Sequence, residues 1–224
     1  MTTADGEAYD ASPYVPEGAD LDELRAAAAD CHGCPLYRDA TQTVFGEGAP
    51  SARVLLVGEQ PGDQEDRQGH PFVGPAGRVL ERALGEAGVD PGETYVTNAV
   101  KHFKFTVRDG GKKRIHKPPS LREMAACRPW LAAEMRLIRP EVVVALGATA
   151  GKTLLGPSFR VSDRRGVPEP FPGEKPELWR HVMGEGRACL VATIHPSAVL
   201  RADDRDAMYA GLLSDLRRVA DALR

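Results

Sequence analysis

No apolar run in this 224-residue chain approaches the length of a membrane span, and the start Met1-Thr2-Thr3-Ala4-Asp5-Gly6-Glu7 lacks the basic segment and apolar core of a secretory signal. A soluble, cytoplasmic, monomeric protein with no membrane partner is the expectation. Net positive charge is also missing. A formal net charge of −3 removes the global signature of a polyanion binder, so any such contact must come from a local patch. Cysteine is scarce: four thiols in a cytoplasmic protein argue against a disulfide framework. No internal repeat is visible. What is present is 42% hydrophobic residues, enough for one sizeable core and short of what two independent domains need. Residues 1–18, rich in Pro, Gly and acidic side chains without apolar periodicity, are expected to form a loosely ordered arm before a single domain over 19–224.

Within that domain, Arg53-Val54-Leu55-Leu56-Val57-Gly58 is a continuous β-branched and leucine run ended by glycine, the pattern of a strand buried on both faces. Residues 94–100, 141–147 and 188–194 repeat it, which predicts a central four-stranded parallel sheet. Helical periodicity falls at about 19–30, 76–88, 120–138, 148–155 and 204–223, the alternation of a three-layer α/β/α fold. Ligands of such sheets bind beyond the carboxyl ends of the strands. Those ends carry Glu59-Gln60-Pro61-Gly62, Asn98 with Lys101-His102, Gly147, and His195-Pro196-Ser197, so the polar residues of interest converge on one rim.

The local basic patch is Lys112-Lys113-Arg114-Ile115-His116-Lys117-Pro118-Pro119. By itself such a run reads as a solvated loop or a grip on phosphates. His116 adds a second possibility, because neighbouring cations disfavour a further positive charge on its ring and so leave a nitrogen lone pair able to attack an electrophile. Cys31-His32-Gly33-Cys34 is a C-x-x-C, with Cys127 and Cys189 far downstream. The spacing suits zinc or an iron–sulfur cluster and does not separate them. Cys189 lies inside an apolar strand pattern and reads as a small buried hydrophobe. His102 is then preferred as the fourth ligand, since imidazole can replace thiolate in iron–sulfur ligation; His32, wedged between two cysteines, is the rival.

Taken together, Gly58-Glu59-Gln60-Pro61-Gly62, Pro71-Phe72-Val73-Gly74-Pro75-Ala76-Gly77, Val96-Thr97-Asn98-Ala99-Val100-Lys101 and His195-Pro196-Ser197 resemble the motifs of family 4 uracil-DNA glycosylases, in order, from about Cys31 to the C-terminal helix. Gln60 and the loop ending Arg114-Ile115-His116-Lys117 further resemble the UdgX subgroup, whose members become covalently attached to DNA at the excised uracil. Family 4 enzymes usually carry cysteine where this chain has His102. The resemblance therefore implies a uracil-DNA glycosylase-like fold and a 4Fe-4S cluster held by Cys31, Cys34, Cys127 and His102.

The resemblance also implies roles. A uracil pocket would be formed by Gln60, Gly62, Asp63, Phe72, Asn98 and His195, with Phe72 stacking on the base, Asn98 pairing with its O4 and N3–H edge, and His195 near O2 stabilising the leaving group. His116, Glu59, His195 and Gln60 form the expected catalytic set. His116 is the candidate nucleophile toward C1′, and Glu59 stabilises the cationic sugar and takes the proton of His116. Lys101, Lys112, Lys113, Arg114, Lys117, Ser197 and Arg201 are the expected DNA contacts. Asp63 and Asp66 are also expected to order the loop through Arg114. The implied partner is uracil-containing DNA, single-stranded or duplex. Two alternatives stand beside covalent capture: a conventional multiple-turnover glycosylase, and a non-catalytic iron–sulfur module that binds damaged DNA.

Overall fold

The structure, a computed structural model, describes residues 9–108, 113–172, 178–183 and 188–224. Its centre is a six-stranded sheet built from β1 (Glu47–Gly48), β2 (Val54–Gly58), β3 (Thr94–Asn98), β6 (Val142–Leu146), β7 (Pro168–Phe171) and β8 (Ala188–Thr193), in the order β1-β3-β2-β6-β8-β7. The inner four strands are parallel and match the four predicted apolar runs. Both edges are antiparallel, so the sheet is mixed and has two strands more than the four expected. A separate antiparallel hairpin, β4 (Phe105–Arg108) with β5 (Lys113–His116), carries the basic segment, which was expected to be a loop.

Helices α1 (Leu21–Ala28), α3 (Pro75–Ala87), α4 (Leu121–Ile138), α5 (Gly147–Leu155) and α9 (Arg205–Ala222) fall on the predicted periodic stretches. Shorter α2 (Asp63–Gln68), α6 (Val161–Arg164), α7 (Leu178–Met183) and α8 (Ser197–Arg201) lie between them. Alternation along β2 explains the layers: Leu55 and Val57 join Leu131, Met135 and Leu154 on one face, while Val54 and Leu56 join Leu80, Leu84, Leu212 and Leu216 on the other. With both faces covered, no polar alternation is needed in the inner strands. A third cluster, around Trp130, Phe45 and the thiols of Cys31, Cys34 and Cys127, closes one pole.

Residues 9–18, assigned to the arm in the sequence reading, pack against that pole. Ala11 is buried and its N–H donates to Ala126 O, and Ser12–Tyr14 form a short 3-10 turn. Residues 1–8 lie outside the described residues. No described helix is long and apolar enough to cross a membrane.

Register sets where chemistry can occur. Gly58 lies opposite Asn98 and Leu146 opposite Thr193, so the four inner strands end together. The chain then turns into Glu59, Gly147 and His195 along one rim.

Candidate active site

Two glycines open this rim. A Cβ on Gly58 would collide with Asn98 Oδ1 and sit 2.7 Å from Phe72 Cζ, so both side chains close over the end of β2 only because that position is bare. Gly147, at φ +88°, would bring a Cβ to 2.9 Å from His195 Cβ. Between these elements lies a cleft of about 780 Å³ lined by Glu59, Gln60, Gly62, Asp63, Phe72, Asn98, His116, His195, Ser197 and Arg201. All the residues expected in the uracil pocket and the catalytic set therefore line one cavity.

Phe72 adopts φ +57°, a left-handed conformation rare for an aromatic residue and costing about 1–2 kcal/mol. The surrounding loops hold it there. Gly77 leaves room for the Phe72 carbonyl, and Glu65 accepts the N–H of Gly62 at 3.1 Å and of Gly74 at 2.8 Å, joining the loops on either side. The Phe72 ring lies 6.2 Å from that of His195 at 26°.

His195 is fixed in one protonation state. Burial is the main cause that lowers its pKa to about 4, with Arg201 and His116 adding to it and Glu59 opposing, so the ring is neutral at pH 7. The Ser197 N–H donates to Nδ1 at 3.2 Å, and the Ser197 hydroxyl, itself accepting from Arg201 Nη1 at 3.0 Å, lies 2.8 Å from the same nitrogen. Nδ1 is therefore the acceptor and Nε2 carries the hydrogen, a neutral donor available to the cleft.

His116 reaches the rim from the hairpin. Strand alternation puts Arg114 and His116 on the same face of β5. Arg114 bonds Asp63, Asp66 Oδ2 at 2.6 Å and Thr41 at 3.2 Å, and stacks over Phe105 at 4.9 Å and Phe103 at 5.4 Å. His116 Nε2 then lies 3.1 Å from Glu59 Oε1, and the Thr149 hydroxyl donates to Glu59 Oε2. Burial works to raise the Glu59 carboxyl, but these two hydrogen bonds outweigh it and hold the group below its usual range. The charged group within reach of the His116 ring is thus a carboxylate.

Several sequence-derived roles change. Lys101 is not a DNA contact: it is 1% exposed, with Nζ bonded to Glu134 Oε2 at 2.6 Å, Thr97 Oγ1 at 2.5 Å and Asn98 O at 3.0 Å. Arg114 turns inward to its acidic partners and is not a free phosphate grip. The Gln60 amide donates to Lys104 O at 3.2 Å and Lys117 O at 3.0 Å and accepts Lys104 N–H at 3.1 Å. Through those bonds Gln60 ties the base of the hairpin to the cleft it lines. Asp63 likewise spends its carboxylate on Arg67 and Arg114. Lys113, Lys117 and Arg201 are exposed, Ser197 supports His195, and Lys112 lies outside the described residues. Thr149 and Glu65 were missed. The only local signal for Thr149 is a hydroxyl in the first turn of a helix that begins at a strand-end glycine.

At the other pole, Cys31, Cys34 and Cys127 are buried in one cluster. Burial raises the Cys34 thiol to about 11 and the Cys127 thiol to about 12, and the neighbouring thiols reinforce both shifts. Trp130 Nε1 donates to Cys31 Sγ at 3.2 Å and Lys101 N–H to Cys127 Sγ at 3.3 Å, which favours charge on sulfur. Thr43 gives its only hydroxyl hydrogen to Ala28 O, so His102 Nε2, 2.9 Å away, must be the donor to Thr43, leaving a lone pair on Nδ1. Burial also lowers the His102 pKa to about 4. Among the described residues, no three His, Cys, Asp or Glu side chains converge as they would on a single metal ion. The donors nonetheless have the soft, buried character a metal–sulfur group needs.

The sequence profile of the uracil DNA glycosylase superfamily matches residues 45–217. A type-4 uracil-DNA glycosylase of Thermotoga maritima is 36% identical over 172 residues, 76% of this chain and 78% of that protein. Another from Pyrobaculum aerophilum is 32% identical over 182 residues, 81% and 85% of the two chains. One from Sulfurisphaera tokodaii is 31% identical over 185 residues, covering 80% and 76%. With its motifs gathered on one rim of an α/β sheet and this extent of similarity, the chain belongs to the uracil-DNA glycosylase superfamily, among the type-4 enzymes.

Proposed function

We propose that this chain excises uracil from DNA and then holds the abasic sugar covalently on His116, as the UdgX-like features of its basic segment imply. The observation that carries the second half is the 3.1 Å contact between His116 Nε2 and Glu59 Oε1 at a cleft that also presents Asn98, Phe72 and the Nε2–H of His195. The first half is supported by that cleft and by the type-4 relatives.

A flipped uracil stacks on Phe72 and offers its O4 and N3–H edge to the Asn98 amide. His195 donates Nε2–H to O2 as the C1′–N1 bond breaks and its electron pair moves onto the base. The Glu59 carboxylate faces the cationic sugar. With Nε2–H of His116 donated to Glu59, the lone pair of the ring attacks C1′, and the Nε2 proton passes to Glu59 and then to solvent. The departing uracil anion takes a proton from solvent, so the products are neutral uracil and an imidazole N-glycoside. Tethering favours this over water, since effective molarities of positioned groups reach roughly 10⁵ M or more. Exposed Lys113, Lys117 and Arg201 contact phosphates.

Cys31, Cys34, Cys127 and His102 Nδ1 would hold a 4Fe-4S cluster whose contribution is a structural cross-link between the N-terminal segment, the β3 end and α4. Visible absorbance that bleaches on reduction tests this directly, and a colourless zinc protein would refute it.

The deciding experiment mixes protein with uracil-containing single-stranded DNA, denatures in hot detergent and resolves the products on a gel. A retarded DNA band is expected from the parent. His116→Ser should lose the band yet still release uracil, water now filling the nucleophile's place. Uracil release without any adduct from the parent makes the protein a conventional multiple-turnover glycosylase; no release at enzyme excess makes it a binding module. An adduct that persists in His116→Ser refutes the assignment of the nucleophile.

A further inference from the structure

Glu59 has two carboxylate oxygens and two partners, and the partners come from different elements. Oε1 faces His116 on the hairpin, while Oε2 accepts the hydroxyl of Thr149 in the first turn of α5. Thr149 is half-buried, and its backbone carbonyl is held in turn by the Thr153 hydroxyl at 3.0 Å, so it sits on a rigid helical turn packed against the sheet. The hairpin, by contrast, joins the body through side chains, chiefly those of Gln60 and Arg114. Glu59 is therefore held from the α5 side by a neutral hydroxyl and meets His116 on its other oxygen.

We propose that Thr149 is a positioning residue for the Glu59–His116 pair: by engaging Oε2 it fixes the carboxylate plane so that Oε1 is presented to His116 and to the cationic sugar. This rests on the reading of Glu59 and His116 given above. Thr149 donates its hydroxyl hydrogen to Oε2, and such a donor stabilises the carboxylate more than the neutral acid. Without it Glu59 would be free to rotate about its last torsion and would gain a proton at a higher pH. The other titratable groups acting on Glu59 are His116 and His195, and Asp63, Glu65 and Arg201 line the same cleft. None of these replaces a donor on Oε2.

The test compares Thr149→Val, which keeps the side-chain shape and removes the hydroxyl, with Thr149→Ser, which restores it. Uracil release and detergent-resistant adduct are measured in the same single-turnover reactions across a pH series, with thermal unfolding to check the fold. Thr149→Val should slow adduct formation by roughly tenfold or more, the scale of one hydrogen bond to a charged group. It should also move the acid limb of both reactions to higher pH, and Thr149→Ser should return both to the parent profile. A Thr149→Val protein with parental rates and acid limb overturns the proposal, as does a Thr149→Ser protein impaired as much as Thr149→Val. If the parent forms no adduct, covalent capture fails, and the acid limb of uracil release still decides the role of Thr149, because Glu59 faces the cationic sugar in either case.

Discussion

Replacing Lys101 with methionine distinguishes a buried structural charge from a DNA-binding one. The ammonium lies among Glu134, Thr97 and the Asn98 carbonyl, with Lys101 1% and Glu134 0% exposed in their side chains. Removing it strands the Glu134 carboxylate, which keeps Tyr95 Oη at 3.2 Å, Thr97 Oγ1 at 2.9 Å and Gly46 N–H at 3.1 Å but loses its counter-charge. Breaking one partner of such a pair costs about 3–5 kcal/mol, and three surviving donors put this case toward the lower end. That is a large share of a stability of typically 5–15 kcal/mol. Urea denaturation should therefore show Lys101→Met destabilised by about 3 kcal/mol. Lys101→Met with Glu134→Gln should recover much of the loss, because no unpaired charge remains and the amide oxygen still accepts from Tyr95, Thr97 and Gly46. The exposed control Lys113→Met should stay within about 0.5 kcal/mol of the parent while weakening DNA binding and reducing its salt dependence. If Lys101→Met loses under 1 kcal/mol and matches Lys113→Met in its salt-dependent affinity loss, Lys101 is a phosphate contact and the burial argument fails.

Gly58→Ala should leave the parallel ladder paired but push Asn98 and Phe72 apart, costing about 1–3 kcal/mol in stability and most of the uracil excision. A parental single-turnover rate of uracil release from this variant would refute the account of the pocket. His195 carries a pH prediction. Its folded pKa of about 4 lies below that of a free imidazole, so its contribution is fully present above pH ~6.5 and is lost as pH falls through the window down to about 4, where the unfolded chain binds a proton the native ring refuses. Between pH 7 and pH 5 this one residue should cost about 2 kcal/mol of stability, and His195→Gln should lack that increment in urea titrations at the two pH values. An identical pH slope in both proteins would show that the ring is solvated.

The long elements were legible because their signals are local. Apolar runs at 54–57 and 142–146 must be buried on both faces, and the 3.6-residue spacing of Leu212, Leu216 and Val219 on α9 has one buried side. The edges were not legible. β1 spans only two residues, and β7 contains Pro168 and Pro170, which only an edge strand tolerates and which read as a break. The hairpin was missed because Phe105–Arg108 and Lys113–His116 pair with each other, not with the sheet, and carry no core-facing run. In the site, strand-end positions located Glu59, Asn98 and His195. Lys101 was misread because its partner, Glu134 on α4, is distant in sequence, and the bonds of Gln60 to the backbone of Lys104 and Lys117 were hidden for the same reason. A cation after a strand looks exposed until the helix above it supplies a carboxylate.

The attachments of the hairpin bear on how the proposed capture would relate to excision. Asn98, Phe72 and His195 are set by the sheet rim and its glycines, and none of their hydrogen bonds or ring contacts runs through β4 or β5 among the described residues. His116 depends on different ties. Gln60 closes the hairpin base, and Arg114 pins its face to Asp63 and Asp66, with Asp66 fully buried. Asp63 and Glu65 both lie on α2, so the helix that anchors the hairpin through Asp63 also staples the Gly62 and Gly74 loops through Glu65. The proposed base recognition and the proposed delivery of His116 would thus share α2 and the end of β2 as supports, with His116 itself carried on the separate hairpin. Loosening the hairpin while sparing Glu65 should uncouple adduct formation from uracil release, whereas loosening α2 should damage both.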